Sequence, residues 1–209
     1  MSIAALYDIH ANLPALEAVL DEVPAGATIL LGGDHVYGPF PAETLARLRA
    51  LGDRAVWLRG NCDRELSEPG AGPASIDVLD WVRARLTDVD VAFLHGLPAT
   101  VEIGSTLFCH ATPANDVDFF GADTPDAELE PAFADVQAET FVCGHSHRQF
   151  DRRVAGRRVV NAGSVGMSQE DDPGACWALL GERVELRRTA FDARALATAT
   201  DYPRPWWDA

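Results

Sequence analysis

Short apolar runs alternate with segments of helical period through the first third of the chain. Residues 3–7 form a run of buried-strand length that stops at Asp8. Residues 13–23 follow, with Leu13, Leu16, Val19 and Leu20 on one helical face. Residues 28–31 read as a second strand entering Gly32-Gly33-Asp34. Residues 42–51 place Leu45, Leu48 and Leu51 at helical spacing, and residues 55–58 form a third strand that runs into Gly60-Asn61-Cys62-Asp63. This strand–loop–helix rhythm predicts an α/β layered architecture. The Gly/Pro-rich stretch 65–73 reads as a surface loop. Residues 75–86 read as a helix carrying Ile76, Leu79, Val82 and Leu86 inward.

The second half changes character. Gly104-Ser105 between residues 101–103 and 106–109 is a hairpin signal. Residues 141–143 form a short strand ending at Gly144-His145-Ser146-His147. Two more hairpins are predicted, 150–154 with 157–161 and 177–180 with 184–188. The chain 1–209 reads as a single domain with a polar tail over 192–209, whose Trp206-Trp207 pair is expected to pack on a neighbouring surface.

Composition narrows the function classes. With 209 residues and 47% apolar content, the chain can bury a full core without disulfide staples. Seventeen basic against 32 acidic residues leave a formal charge of -15, which disfavours binding to a nucleic-acid polymer or an anionic membrane surface. All the basic residues are Arg, so lysine Schiff-base chemistry and a Walker phosphate lysine are excluded. No apolar run approaches the roughly 18 residues of a membrane span. The N-terminus lacks signal-peptide character, and Cys62, Cys109, Cys143 and Cys176 show no C-x-x-C spacing. Reduced thiols and a cytoplasmic location are the expectation.

The informative feature is positional. Asp8, Asp34, Asn61, His110 and His145 each follow a short apolar strand, and loops beyond the carboxyl ends of strands converge in layered α/β proteins. Asp8-x-His10 and His145-x-His147 extend the set, because residues i and i+2 of an extended segment face one way. A Gly-Asp or Gly-Asn pair alone usually marks a turn; the ordered combination at strand ends makes a metal site. Two Asp, one Asn and four His mix hard oxygen with borderline nitrogen donors, which suits Mn²⁺, Fe, Zn²⁺ or Ni²⁺ better than Mg²⁺. Seven ligands exceed one tetrahedral ion and suit two divalent ions ~3.5–4 Å apart.

The order D-x-H, G-D, G-N-x-D, H, G-H-x-H resembles the calcineurin-like metallophosphoesterase family over nearly the whole chain. Gly38-Pro39 and Asn161-Ala162-Gly163-Ser164-Val165-Gly166 resemble its small bacterial branch, which includes the YfcE-type phosphodiesterases. The resemblance implies a four-layer α/β/β/α sandwich. It also implies that Asp8, His10 and His147 hold one metal, that Asp34 bridges, and that Asn61, His110 and His145 hold the second. It further implies hydrolysis of a small phosphoester, nucleotides among the candidates, by a hydroxide bridging two divalent ions, manganese first.

Asn61, Cys62 and His35 are the candidates for direct contact with the reacting groups. Cys62 replaces the histidine that protonates the leaving group in many family members, and a thiol beside two cations is a poor proton donor. Ala11 stands where a glycine is common. Esters with acidic leaving groups are therefore expected to react best. Asp116, Asp118 and Asp123 of the 112–124 loop, lining the mouth, would repel a highly charged substrate and favour a compact diester over a polyphosphate. Two alternatives remain open: an interaction scaffold that keeps the fold without catalysis, and a dinuclear hydrolase acting on a lactone or amide. The oligomeric state is left open.

Overall fold

Among the described residues, ten strands form two five-stranded sheets in the computed structural model, which describes residues 2–134, 136–172, 174–198 and 201–203. The first sheet takes β1 (Ile3–Leu6), β2 (Thr28–Leu31) and β3 (Ala55–Trp57) in parallel, then β9 (Ala175–Leu180) and β10 (Val184–Thr189) antiparallel, in the order β10-β9-β1-β2-β3. The second takes β4 (Thr100–Ile103), β5 (Thr106–Cys109), β6 (Thr140–Cys143), β7 (Phe150–Val154) and β8 (Arg157–Asn161), in the order β4-β5-β6-β8-β7. Strands β5, β6 and β8 are parallel, with antiparallel strands at both edges.

The near-continuous apolar character of the central strands follows from burial on both faces. In β1, Ala4 and Leu6 face helix α1 (Leu13–Glu22) with its Leu16 and Val19. Ile3, Ala5 and Tyr7 face the second sheet, against Phe108, Val142 and Val160. Tyr7 Oη donates to the Val142 carbonyl across this interface at 2.8 Å.

Among the helices, α2 spans Pro41–Arg49, α3 Asn61–Glu65, α4 Ile76–Arg83, α5 Asp88–His95 and α6 Asp126–Phe133. On the far side of the second sheet, Leu129 and Phe133 of α6 cover Leu107, Phe141 and Val159. The outcome is the α/β/β/α sandwich. Helices α2, α4 and α5 build a further cluster through Leu45, Leu79, Val82, Val91 and Leu94, against Trp57 of β3.

Four helices depart from the sequence expectation: the pattern predicts none at α3, α5 or α6, and α4 is turned. Helix α3 has five residues and no apolar stripe. In α5, Asp88-Val89-Asp90-Val91 alternates like a strand, yet Thr87 caps a helix there by accepting from the Asp90 amide. Pro131 interrupts the α6 pattern. Helix α4 is rotated from the predicted face: it buries Val78, Leu79 and Val82 and leaves Ile76 exposed. The four cysteines are free and buried. In the tail, Leu196 is buried, while Trp206-Trp207 lie outside the described residues. No helix among the described residues is long and apolar enough to cross a membrane.

Candidate metal centre

Strand register delivers the candidate ligands to one rim. Leu6 pairs with Leu31 and Leu31 with Trp57, so the segments carrying Asp8, Asp34 and Asn61 leave the first sheet together. Phe108 pairs with Val142 and Cys143 with Asn161, so His110 and His145 leave the second sheet at the same end.

Beyond the strands the backbone is not extended. Asp8, His10, Asp34, His145 and His147 have φ of 52°, 48°, 53°, 64° and 58°, and Ala11 has 49°. The only other non-glycine residue in this region among the described residues is Ala155 of a hairpin. The D-x-H and H-x-H pairs therefore converge through left-handed kinks, not through strand alternation. Each such residue costs about 1 kcal/mol, with Asp and His tolerated better than most. Loop-to-loop bonds hold the conformation: the amides of Asp8, His10 and Ala11 donate to the carbonyls of Gly33, Asp34 and His35 at 3.1, 2.8 and 3.0 Å.

Asp8, Asp34, Asn61, His10 and His110 are each fixed by a bond on the outer atom of the side chain. Asp8 Oδ2 accepts from the His145 amide at 2.8 Å. Its Oδ1 is buried with no hydrogen-bond partner and faces Nε2 of His147, His10 and His110 at 3.2, 3.7 and 3.8 Å. Asp34 Oδ1 accepts from the Cys62 amide at 2.8 Å, leaving Oδ2 at 3.6 and 3.9 Å from His110 and His10 Nε2. Asn61 Nδ2 donates to Glu65 Oε1 at 2.9 Å, which turns Asn61 Oδ1 toward His110 Nε2 at 3.2 Å.

His10 and His110 place Nδ1 at 3.0 and 2.9 Å from the carbonyls of Tyr37 and Gly32. Donation from Nδ1 leaves the Nε2 lone pair for a cation. His10 and His147 bring their Nε2 atoms to 3.1 Å. An orphaned buried carboxylate oxygen ringed by imidazole nitrogens is stable only with positive charge in its midst. The donor set therefore fits divalent ions.

The electrostatics agree. Burial opposes charge on His110, but Asp34 and Asp8 override it and raise its pKa to about 10. His147 is raised against burial by Asp8. Asp34 is held well below its ordinary value despite burial, by His110 and His10. Asp8 is lowered despite burial, by His147 and His110. His10 is lowered by burial and by His147, and His145 by burial and by His110. In the metal-free chain, protons on imidazoles supply the charge that the carboxylates demand.

The ligand atoms of Asp8, His10 and His147, of Asp8, Asp34 and His110, and of His10, Asp34 and Cys62 form three groups, each within 4.8 Å. Cys62 thus lies in the cluster, its thiol pushed well up by burial and by Asp34. His145 borders it, its ring centroid 5.1 Å from that of His110. His35 is brought elsewhere: fully buried, tilted against Trp57 at 5.1 Å, with Nδ1 2.8 Å from Asp63 Oδ2.

Asp63 is the residue that motif reading passes over. Its carboxylate accepts from the amides of Asp34, His35 and Gly60 at 2.8, 3.1 and 3.0 Å and pairs with His35 Nδ1. Its place in G-N-x-D, at N3 of a helix after Gly60, lets the carboxylate reach back to the N-cap amide, the one half of a capping box that a glycine N-cap permits. Glu65, one turn after Asn61, fixes that amide and also accepts from the Ala74 amide. Asn161 donates to the Gly144 carbonyl and to Ser146 Oγ, steadying the H-x-H turn. The glycines before the ligands allow close approach: a Cβ on Gly60 would meet Asp34 Oδ1 at 2.2 Å.

The 112–124 loop flanks the centre. Beside His110 it borders a cavity of ≈ 170 Å³ lined by Arg59, Arg64, Thr112, Asn115 and Asp116. Arg64 holds Asp116 with two bonds of 2.8 and 2.9 Å, so that carboxylate adds no free negative charge at the rim. Of the arginines following His147, Arg152 and Arg158 pair with Asp126 and Asp151, and Arg148 is exposed.

The model of the calcineurin-like phosphoesterase superfamily domain matches residues 1–182. An uncharacterized protein of Methanocaldococcus jannaschii is 26% identical, over 92% of this chain and 88% of its own. A metallophosphoesterase from Sphaerobacter thermophilus superposes with a TM-score of 0.80 at 24% identity, covering 96% of this chain and 93% of that one. The phosphoesterase YfcE from E. coli superposes with a TM-score of 0.54 at 21% identity, covering 87% and 89%.

Proposed function

Because the chain belongs to the calcineurin-like phosphoesterase superfamily, we propose that it is a metal-dependent hydrolase of small phosphoesters, diesters in preference to monoesters. The observation that carries this reading is Asp8 Oδ1, buried without a hydrogen bond and faced by three imidazole nitrogens. Asp8, His10 and His147 would hold one divalent ion, Asn61, His110 and His145 a second, with Asp34 shared; the mixed donors suit manganese, iron, zinc or nickel, with manganese first on the family resemblance. Two such ions activate water and neutralise charge on a phosphoryl group.

The chain's own part is to orient and to hold protons. Glu65 fixes Asn61 Oδ1 inward, and the Gly32 and Tyr37 carbonyls keep the His110 and His10 lone pairs on the centre. Proton donation to a leaving group is weak. Burial and Asp34 push the Cys62 thiol well up in the metal-free chain, cations beside it would instead leave a thiolate with no proton to give, and His35 is bound to Asp63. Esters with acidic leaving groups are the best substrates on that ground.

The test is hydrolysis of bis-p-nitrophenyl phosphate and p-nitrophenyl phosphate by metal-stripped protein, with Mn²⁺, Ni²⁺, Zn²⁺ and Mg²⁺ restored separately. The expected result is metal-dependent turnover, faster on the diester, that collapses in His145→Ala and Asp34→Asn. A folded, metal-loaded protein that turns over neither ester would favour the scaffold reading.

A further inference from the structure

Phe119 is the one exposed aromatic side chain among the described residues, at 77% exposure, and it stands beside the candidate metal centre. Its ring centroid lies 6.0 Å from that of His145, with the planes at 72°. Its neighbour Phe120 is buried against Phe133 and Phe150 and anchors the loop in the core, while Phe119 projects into solvent with its ring steeply inclined to that of His145.

The ring is also presented on a fastened loop. Before it, Asn115 Oδ1 accepts from the amides of Val117 and Asp118 at 3.0 and 2.8 Å. Thr112 Oγ1 donates to Asp118 Oδ2 at 3.0 Å, and Arg64 ties Asp116 to α3. After it, Arg152 donates to the carbonyls of Ala122 and Thr124 at 2.6 and 2.7 Å. With the loop backbone fastened on both sides, only the ring's own side-chain rotations remain to be ordered when a ligand covers it.

We propose that Phe119 is the platform on which a planar aromatic substituent of the phosphoester, a nucleobase or aryl ring, stacks while the phosphoryl group occupies the centre at His145 and His110. The proposal rests on the phosphoesterase reading and adds the substrate class. Ring-to-ring stacking suits one exposed π-face. An aliphatic chain would need a longer apolar wall, and among the described residues Val117, two positions away at 38% exposure, is the one other exposed large apolar side chain of the 112–124 loop. One ring is also far short of the roughly 1,000 Å² that a stable protein interface buries.

The experiment measures binding of AMP, ribose 5-phosphate and inorganic phosphate to the Mn²⁺-loaded protein by calorimetry, in wild type, Phe119→Ala and Phe119→Trp. Stacking predicts that wild type prefers AMP over ribose 5-phosphate, by at least about fivefold, the low end for a base on an aromatic side chain. The preference is lost in Phe119→Ala and restored in Phe119→Trp. Equal binding of the two sugar phosphates by wild type, a preference that survives Phe119→Ala, or no measurable AMP binding overturns the proposal. Ester turnover is scored separately. Ring preference without turnover sinks the phosphoesterase reading and keeps the platform, and turnover without ring preference does the reverse.

Discussion

Asp63→Asn tests whether the centre is shaped by a residue that touches no ligand. Four N–H groups converge on the Asp63 carboxylate, three on Oδ2 and one, the His35 amide, on Oδ1. An asparagine keeps the shape but offers a single acceptor oxygen. Its best placement puts that oxygen where Oδ2 stands, so its NH₂ meets the His35 amide donor to donor. The change removes one bond to a charged group, about 1.5–3 kcal/mol, and strands a buried N–H, about 1–3 kcal/mol, part of which relaxation recovers. A net loss of roughly 2–4 kcal/mol is expected, or about 5–15 °C in Tm for a chain of this size. Because the Asp34 and Gly60 amides hang on the same carboxylate, Mn²⁺ affinity should also fall about 10- to 100-fold, the usual cost of losing an outer-sphere support. Thermal melts of metal-free protein and Mn²⁺ calorimetry measure the two effects independently. An Asp63→Asn variant that melts within 2 °C of wild type and keeps its Mn²⁺ affinity would refute the reasoning.

The raised pKa of His110, about 10 against an ordinary 6.5, makes the metal-free protein most favoured by this group below pH 6.5 and progressively less so as pH climbs toward 10. A metal must displace that proton, so Mn²⁺ affinity should rise about tenfold per pH unit across this window; an affinity that is flat between pH 7 and 9 contradicts the assignment. Gly60→Ala forces Asp34 off the Cys62 amide or shifts the loop, so at least a tenfold loss of Mn²⁺ affinity with retained circular dichroism is expected, and wild-type affinity would count against it. Ala11→Gly relieves about 1 kcal/mol of left-handed strain, which offsets only half of the lost methyl burial and added freedom of the unfolded chain, each also about 1 kcal/mol, and leaves a net loss of about 1 kcal/mol. It should therefore cost less in urea unfolding than Ala15→Gly within α1, where burial and helix propensity are both lost; equal losses would show that the φ of Ala11 carries no strain.

The convergence of the candidate ligands was legible because their segments follow short apolar strands, and parallel register turns that coincidence in sequence into one in space. The inter-sheet core was equally legible, since buried strands read as continuous apolar runs. What stayed hidden has physical causes. Helix α3 is a single turn stabilised by polar bonds, with Asp63 and Glu65 buried in it, so no periodicity announces it. Strand-like alternation disguises α5, where Val89 faces water. Asp63 and Glu65 look like surface acids in one dimension, because their partners, the amides of Asp34 and His35 and the backbone at Ala74, lie on other loops.

The D-x-H spacing shows how two residues expected side by side can come together through a different geometry. Alternation along a strand would bring Asp8 and His10 to one side at no backbone cost. The chain instead turns left-handed at both positions, and it does so because β1 has already ended: the amides beyond Leu6 need acceptors, and the Gly33, Asp34 and His35 carbonyls of the neighbouring loop provide them. Those bonds form only if the 8–11 backbone bends back toward the 33–35 loop, and the bend aims Asp8 Oδ1 and His10 Nε2 at each other across 3.7 Å. The strain is thus held by pairing between two loops of the first sheet, independently of any ion. Metal binding then acts on charge and protonation within a frame that the backbone has already set.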